Sequence, residues 1–258
     1  MRNDNGISDN LPAGIPAILT ASPCTSSSIL FTGNTDANVG KGTASPVVGG
    51  VTYPEVYPSS YSPLSTSYPS LYSKATAAGI TPIDITAAPV NCSLNSCTLP
   101  SGLSHGIYLA TNNVTLNTWT APAGDYIFLV NGNLTITGPI TVPVGSTVLF
   151  SVKGNITVAS SVGTATLTSA TPNLAGWYIA GGSFILPSSG NCTDMRLNIA
   201  GSVIVNSLGT GGTFQNDRDL CGGDTTNPTI SFIQRLDMIL NAPQFLQQQI
   251  TLSREVSP

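Results

Sequence analysis

The sequence predicts an all-β protein, a right-handed parallel β-solenoid of about five coils. Three observations point to this fold. A short phrase recurs along the chain at intervals of roughly twenty residues. The recurring segments are rich in Thr, Val, Ile, Ser and Gly, which favour strands and turns over helices. Only 8% of the residues are charged, against about 25% in an average protein.

The clearest copies of the phrase are VNGNLTIT at 130–137 and VKGNITVA at 152–159. Weaker copies lie at 112–117, 181–186 and 200–205. Each copy has a Gly or Asn, then an Asn or Ser, then an apolar–any–apolar triplet. We call the first two residues the repeat corner. Its Asn or Ser falls, in steps of 20, 22, 28 and 19 residues, at Asn113, Asn133, Asn155, Ser183 and Ser202.

A unit of this length with short β-runs on both sides of a tight corner is typical of one coil of a parallel β-solenoid. We expect Leu134, Ile136, Ile156 and Val158 to point inward, because successive side chains of a strand alternate between faces. The corner Gly should supply a positive φ, and the Asn or Ser should bond the same side chain in the coils above and below. The 28-residue step predicts an insertion within 160–173. The alternative is an antiparallel β-sandwich with similar hairpins.

Three regions follow from this pattern. Residues 1–104 form an irregular region rich in Ser, Thr, Pro and Tyr that packs on the solenoid, with one short helix at 70–79. Residues 105–229 form the solenoid. Residues 230–258 are predicted to form a C-terminal cap, because an open final coil would leave an unpaired sheet edge.

The charge pattern excludes nucleic acid as a partner, since eight scattered Lys and Arg and a net charge of −4 supply no basic surface. The sequence contains no run of eighteen apolar residues, the length that a membrane-spanning helix needs. Charge-poor β-repeats rich in Ser, Thr, Asn and Gly are typical of exported proteins. We therefore expect an extracellular or cell-surface location, with membrane attachment only through an upstream anchor that this sequence lacks.

The five cysteines form no CxxC motif, and with a single histidine they provide no zinc-binding set. Proximity in the sequence favours the disulfides Cys92–Cys97 and Cys192–Cys221, which leaves Cys24 over. The alternative is a set of free, buried thiols in a cytosolic protein.

The coil sequence GDYIFLVNGNLTITGPITVPVGSTVLFSVKGNITV and the tail FIQRLDMILNAPQFLQQ…REVSP carry a resemblance. They resemble the β-solenoid ectodomains of bacterial surface proteins that are attached to prepilin-like or pilus-assembly N-termini. The resemblance covers roughly 105–258. It implies a non-catalytic subunit or decoration of a pilus, filament or surface layer, with adhesion as an extension of that role. Its expected partners are further copies of itself or other appendage subunits, and it brings no catalytic residue and no cofactor.

Because right-handed β-helices also include pectin-degrading enzymes, a carbohydrate-active enzyme is one alternative. Glycoside hydrolysis requires two carboxylates that face one bond, and the only acid between 85 and 190 is Asp125. The Asn-Thr-Asp at 34–36 lies outside the repeats. The segment GLSHG at 102–106, with Ser104 and His105, matches the nucleophile-elbow pattern, but a strand-like sequence follows it instead of a helix. We therefore predict no catalytic site.

An ice-binding β-helix is the second alternative. The outward Thr115, Thr135 and Thr157 should align across three coils, and Ile185 and Ile204 take the next two positions.

The one candidate metal site is a calcium site formed by Asp217, Asp219 and Asp224 in QNDRDLCGGD. The alternative is a loop organised by its cysteine.

N-x-S/T tripeptides begin at Asn91, Asn113, Asn133, Asn155 and Asn191. Three of these are repeat corners, for which a structural role is a sufficient explanation.

Overall fold

The structure is a computed structural model that describes residues 66–88, 90–221, 223, 227–243 and 246, together with the backbone of five short strands closer to the start of the chain. These five are β1 (Arg2–Asn3), β2 (Ile7–Asp9), β3 (Ile18–Thr20), β4 (Ile29–Phe31) and β5 (Val51–Thr52). The elements that follow are α1 (Tyr68–Ala77), β6 (Ile83–Asp84), β7 (Gly106–Ala110), β8 (Val114–Leu116), β9 (Trp119–Thr120), β10 (Asp125–Val130), β11 (Leu134–Ile136), β12 (Ile140–Thr141), β13 (Thr147–Val152), β14 (Ile156–Val158), β15 (Leu174–Ala180), β16 (Phe184–Leu186), β17 (Leu197–Ile204), β18 (Phe214–Asn216), β19 (Ile230–Ile233) and α2 (Leu236–Leu240).

The strands form two parallel sheets. The first has the order β5-β4-β1-β17-β15-β13-β10-β7-β6, with β3, β9, β12 and β19 joined to it off this path. The second has the order β2-β18-β16-β14-β11-β8. Each pairing between these named strands is parallel. The predicted all-β, parallel class is confirmed.

The register of the second sheet follows the repeat. Leu134 pairs with Val114 on one side and with Ile156 on the other, and Ile156 pairs with Phe184. The four side chains predicted to point inward are each at most 1% exposed: Leu134, Ile136, Ile156 and Val158. The parallel pairing of these strands excludes the antiparallel sandwich for the repeats. That the two sheets close into a right-handed coil stays a prediction.

The fifth predicted corner is wrong. Ser202 lies in β17 of the first sheet, where it pairs with Trp177. In the second sheet the strand that follows β16 is β18, and Phe184 pairs with Phe214. The segment at 200–205 resembles the repeated phrase in sequence because a buried strand with Val and Ile has the same apolar alternation as the triplet after a corner.

Aromatic side chains at matched register positions fill the interior. Tyr108, Phe128, Phe150 and Tyr178 stack across neighbouring strands with ring centroids 5.2, 5.0 and 5.5 Å apart. Phe184 and Phe214 continue the packing with a centroid separation of 5.5 Å. Each ring therefore sits on a ring from the strand before it, a geometry that adds to the free energy of burial.

Strands from the start of the chain extend the two sheets beyond the repeats, and the tail joins the first sheet through the pairing of β19 with β17. β1 pairs with β17, β2 with β18 and β3 with β19. The described part of the tail then turns back along the flank, where the Arg235 guanidinium donates to the carbonyl oxygens of Val142 and Pro143. That 230–258 forms a C-terminal cap stays a prediction; residues 244, 245 and 247–258 lie outside the described residues.

The helix predicted at 70–79 is present as α1 and ends before Gly79, whose φ of 70° lies in the left-handed region. Its Leu71 packs, fully buried, against the outer face of the first sheet, in a cluster with Ile127 and Leu149. Within the described residues, no helix has the length and apolarity that crossing a membrane requires.

Candidate functional site

The repeat corners form a continuous hydrogen-bonded ladder beside the second sheet. The backbone N–H of Asn133 donates to Asn113 Oδ1, that of Asn155 to Asn133 Oδ1, and that of Ser183 to Asn155 Oδ1, each over 2.8 Å. The N–H of Thr213 then donates to Ser183 Oγ over 3.0 Å. Thr213 therefore takes the place that we had assigned to Ser202. The predicted side-chain to side-chain bonding is also wrong, because each side chain pairs with the next backbone amide.

The ladder also explains the corner glycines. A Cβ at Gly132, Gly154 or Gly182 would lie 2.7, 2.2 or 2.2 Å from the Oδ1 of the preceding asparagine of the ladder. None of the three has a positive φ, so the conformational reason that we predicted is wrong. Glycine is required because the ladder oxygen occupies the space of a side chain.

A row of threonines lies next to the ladder on the outward face. Thr115, Thr135 and Thr157 are register partners in β8, β11 and β14, and all three are half-buried. The next two positions of the row are Ile185 and Gln215. Ile204, which we had placed in the row, instead pairs with Ile179 in the first sheet.

Two disulfides join the predicted pairs of cysteines. Cys92 and Cys97 have Cα atoms 4.8 Å apart, and their short loop pairs with the edge of β8, where the Cys97 N–H donates to the Thr115 carbonyl. Cys192 and Cys221 have Cα atoms 5.4 Å apart. The fifth cysteine, Cys24, lies outside the described residues.

The second disulfide belongs to a group of loops at 159–173, 187–196 and the described residues of 217–229, which we call the loop cluster. At its centre is Arg218, whose side chain is fully buried. The Arg218 guanidinium donates to the carbonyl oxygens of Ala159 and Met195 over 2.7 Å, and to that of Val162 over 2.8 Å. Burial lowers the pKa of Arg218 to about 10, so the group remains a cation at neutral pH. This role of Arg218 was not predicted from the sequence.

The carboxylates of the loop cluster accept hydrogen bonds within the protein. Asp194 accepts the N–H groups of Ser189 and Asp219 over 2.7 and 2.8 Å. Burial acts to raise the pKa of Asp194, but hydrogen bonds from the Asp219 and Ser189 amides and nearby hydroxyls hold it below its usual value. Asp219 accepts the Cys221 N–H, and Asp217 accepts the Gln215 side-chain amide.

Two of the three calcium candidates, Asp217 and Asp219, lie among the described residues. The described residues contain no group of three or more His, Cys, Asp or Glu side chains that could hold a metal ion. Asp224 lies outside the described residues. Calcium binding at Asp217, Asp219 and Asp224 stays a prediction.

Most of the residues considered for catalysis lie near the beginning of β7 and β10. A strand, β7, begins directly at Gly106 after Ser104 and His105, where a nucleophile elbow would need a helix. The Ser104 carbonyl accepts a hydrogen bond from the Tyr108 hydroxyl. Asp125 begins β10 and pairs with Thr147. The segment 34–36 lies outside the described residues.

Comparisons with family models, with curated proteins and with solved structures found no match for this chain.

Proposed function

We propose that this protein is a non-catalytic structural component of the cell exterior, a subunit or decoration of a pilus, filament or other surface layer, built as a right-handed parallel β-solenoid. The ladder of corners is the observation that supports this proposal most strongly. Its acceptor side chains, from Asn113 to Ser183, hold four successive backbone amides in the same way. A stack held by one repeated contact suits a spacer or fibre component, because its length can change without changing its chemistry.

The disulfides support the exterior location, because such bonds persist in oxidising compartments and are rare in the cytosol. The low charge of the chain supports it as well. The resemblance of residues 105–258 to pilus-associated ectodomains agrees with this location and favours an appendage over other surface layers. Adhesion to a surface would be an extension of the same role.

Fractionation of intact cells tests the proposal. We expect the protein to pellet with appendages sheared from the cell surface, and we expect Cys92, Cys97, Cys192 and Cys221 to resist alkylation until a reductant is added. Recovery with the cytosol, with all cysteines open to alkylation, would contradict both the location and the structural role.

Ice binding is a second candidate function, and the row of Thr115, Thr135 and Thr157 favours it. The three hydroxyl-bearing side chains repeat at the spacing of neighbouring strands, about 4.8 Å, on one outward face. If the row binds ice, the protein should show thermal hysteresis that Thr135→Tyr abolishes. The control variant Thr168→Tyr, at an exposed position of the loop cluster, should leave the hysteresis intact. A wild-type protein without hysteresis would exclude this function.

A further inference from the structure

The ladder uses only one of the two polar atoms of each asparagine side chain. Oδ1 of Asn113, Asn133 and Asn155 accepts the amide of the next corner. No hydrogen bond engages the Nδ2 atoms of these three residues within the described part of the chain. Asn113 and Asn133 are exposed and Asn155 is half-buried. The row therefore presents side-chain amide nitrogens that have no hydrogen-bond partner among the described residues and whose orientation the ladder fixes.

Each of these asparagines begins an N-x-T tripeptide. The threonines are Thr115, Thr135 and Thr157, which form the outward row beside the ladder. N-x-S/T, with any middle residue except proline, is the acceptor sequence for N-linked glycosylation. On the sequence alone, the structural repeat is a sufficient explanation of this pattern. The structure shows that the ladder uses Oδ1 of each asparagine and leaves Nδ2 available.

We propose that the ladder is a site of N-linked glycosylation, with Asn113 and Asn133 as the main acceptors. The inference rests on the proposed export of the protein. The donor would be an oligosaccharide linked to a lipid diphosphate. A bond forms between Nδ2 and the anomeric carbon of the first sugar, the bond from that carbon to the diphosphate oxygen breaks, and the lipid diphosphate leaves with the electron pair. Nδ2 loses one proton, and no oxidant or reductant is required.

The modification is compatible with the ladder. An N-glycosidic bond changes Nδ2 and leaves the side-chain carbonyl in place, so Asn113 Oδ1 can still accept the Asn133 amide. A sugar attached before folding would project from the outward face and would not prevent the strands from pairing. If the ladder had used Nδ2 instead, attachment would have removed a donor from every corner.

Steric crowding between neighbouring corners limits the number of glycans that we expect on one chain. Neighbouring strands lie about 4.8 Å apart, and a sugar ring on one corner fills most of that spacing. We therefore expect a chain to carry a glycan on Asn113 or on Asn133, and seldom on both. Asn155 should be modified least because it is half-buried.

Mass spectrometry of glycopeptides from surface-recovered protein tests the inference. We expect glycans at Asn113 and Asn133, with a combined occupancy close to one per chain. The triple variant Thr115→Val/Thr135→Val/Thr157→Val removes the acceptor sequence but keeps every ladder oxygen, so it should lose these glycans and still reach the surface. The matched variant Thr115→Ser/Thr135→Ser/Thr157→Ser keeps the acceptor sequence and should retain them.

Protein recovered from the surface with all three asparagines unmodified, or with glycans only at Asn91 and Asn191, would overturn the glycosylation inference and leave the proposed function standing. Recovery of the protein in the cytosol would instead contradict the proposed function, and this inference would fall with it.

Discussion

The ladder and the loop cluster pair their polar groups in opposite ways. In the ladder, exposed or half-buried side chains such as Asn113 and Asn155 each accept one backbone amide, and the same contact recurs from strand to strand. In the loop cluster, one fully buried cation, Arg218, donates hydrogen bonds to three carbonyl oxygens from two other loops. Stability is therefore distributed over equivalent contacts in the first region and concentrated on a few unique ones in the second. A single substitution should therefore change the free energy of unfolding less in the ladder than in the loop cluster.

Replacing Arg218 should produce the largest effect. Arg218→Met removes the hydrogen bonds that a charged donor makes to the carbonyls of Ala159, Val162 and Met195, and it leaves the last two carbonyls without this partner. The loss should lower the free energy of unfolding by about 3–5 kcal/mol. Denaturant unfolding measures this loss. The comparison variant Arg235→Met removes a partly exposed ion pair with Asp237 and hydrogen bonds to the carbonyls of Val142 and Pro143, and it should cost less, about 1–2 kcal/mol. Equal losses in the two variants would show that the loop cluster does not depend on its buried cation.

Removing a disulfide should cause the next largest loss of stability, and the loss should differ between the two bridges. Cys192 and Cys221 are 29 residues apart, and their replacement by Ser should lower stability by about 3–4 kcal/mol through the entropy of the unfolded chain. The pair Cys92 and Cys97 is separated by 5 residues, and its removal should cost about 2 kcal/mol. Thermal unfolding of the two double Ser variants gives the comparison. A greater loss for the short bridge would reverse the expected order.

A corner glycine should show an intermediate effect. In Gly154→Ala the new Cβ would lie 2.2 Å from Asn133 Oδ1, so the ladder must shift, at a cost of about 1–3 kcal/mol. Gly102→Ala is a matched control, because a Cβ there meets nothing within 4 Å, and its stability should change by less than about 0.5 kcal/mol. The unfolding midpoints of both variants in urea provide the measurement. If the two variants are equally stable, the ladder does not explain the corner glycines.

Low pH should destabilise the loop cluster and leave the ladder contacts unchanged. The pKa of Asp194 is lowered in the folded protein, so its contribution to stability is complete above about pH 4 and is lost as the pH falls through the folded pKa. Melting temperatures between about pH 5 and pH 2 should therefore fall less steeply in Asp194→Asn than in the wild type. Asn133→Ala removes a group that does not ionise, and its loss of stability should be the same across this range. An unchanged acid slope in Asp194→Asn would contradict the role given to this carboxylate.

The sequence predicted the features that repeat locally and missed those that join distant segments. The corners at Asn113, Asn133, Asn155 and Ser183 were visible because the ladder demands the same residue types each time. The fifth corner was missed because Thr213 replaces the expected Asn or Ser and follows a longer step.

The role of Arg218 could not be predicted, since its carbonyl partners come from residues 23 to 59 positions away. The pairing of β1 with β17 joins Arg2 to Ile204, and parallel pairing over such a distance leaves no turn signal in the sequence. The disulfides were predictable because each bridge joins cysteines that are close neighbours in the sequence.

Amide hydrogen exchange at Asn155 tests most directly whether each corner side chain holds the amide of the next corner. Asn133→Ala removes the acceptor of the Asn155 N–H and should speed its exchange about tenfold, equivalent to about 1.4 kcal/mol. Asn133→Asp keeps an acceptor oxygen and should leave that exchange slow. Unchanged exchange at Asn155 in Asn133→Ala, or equal acceleration in both variants, would contradict the ladder.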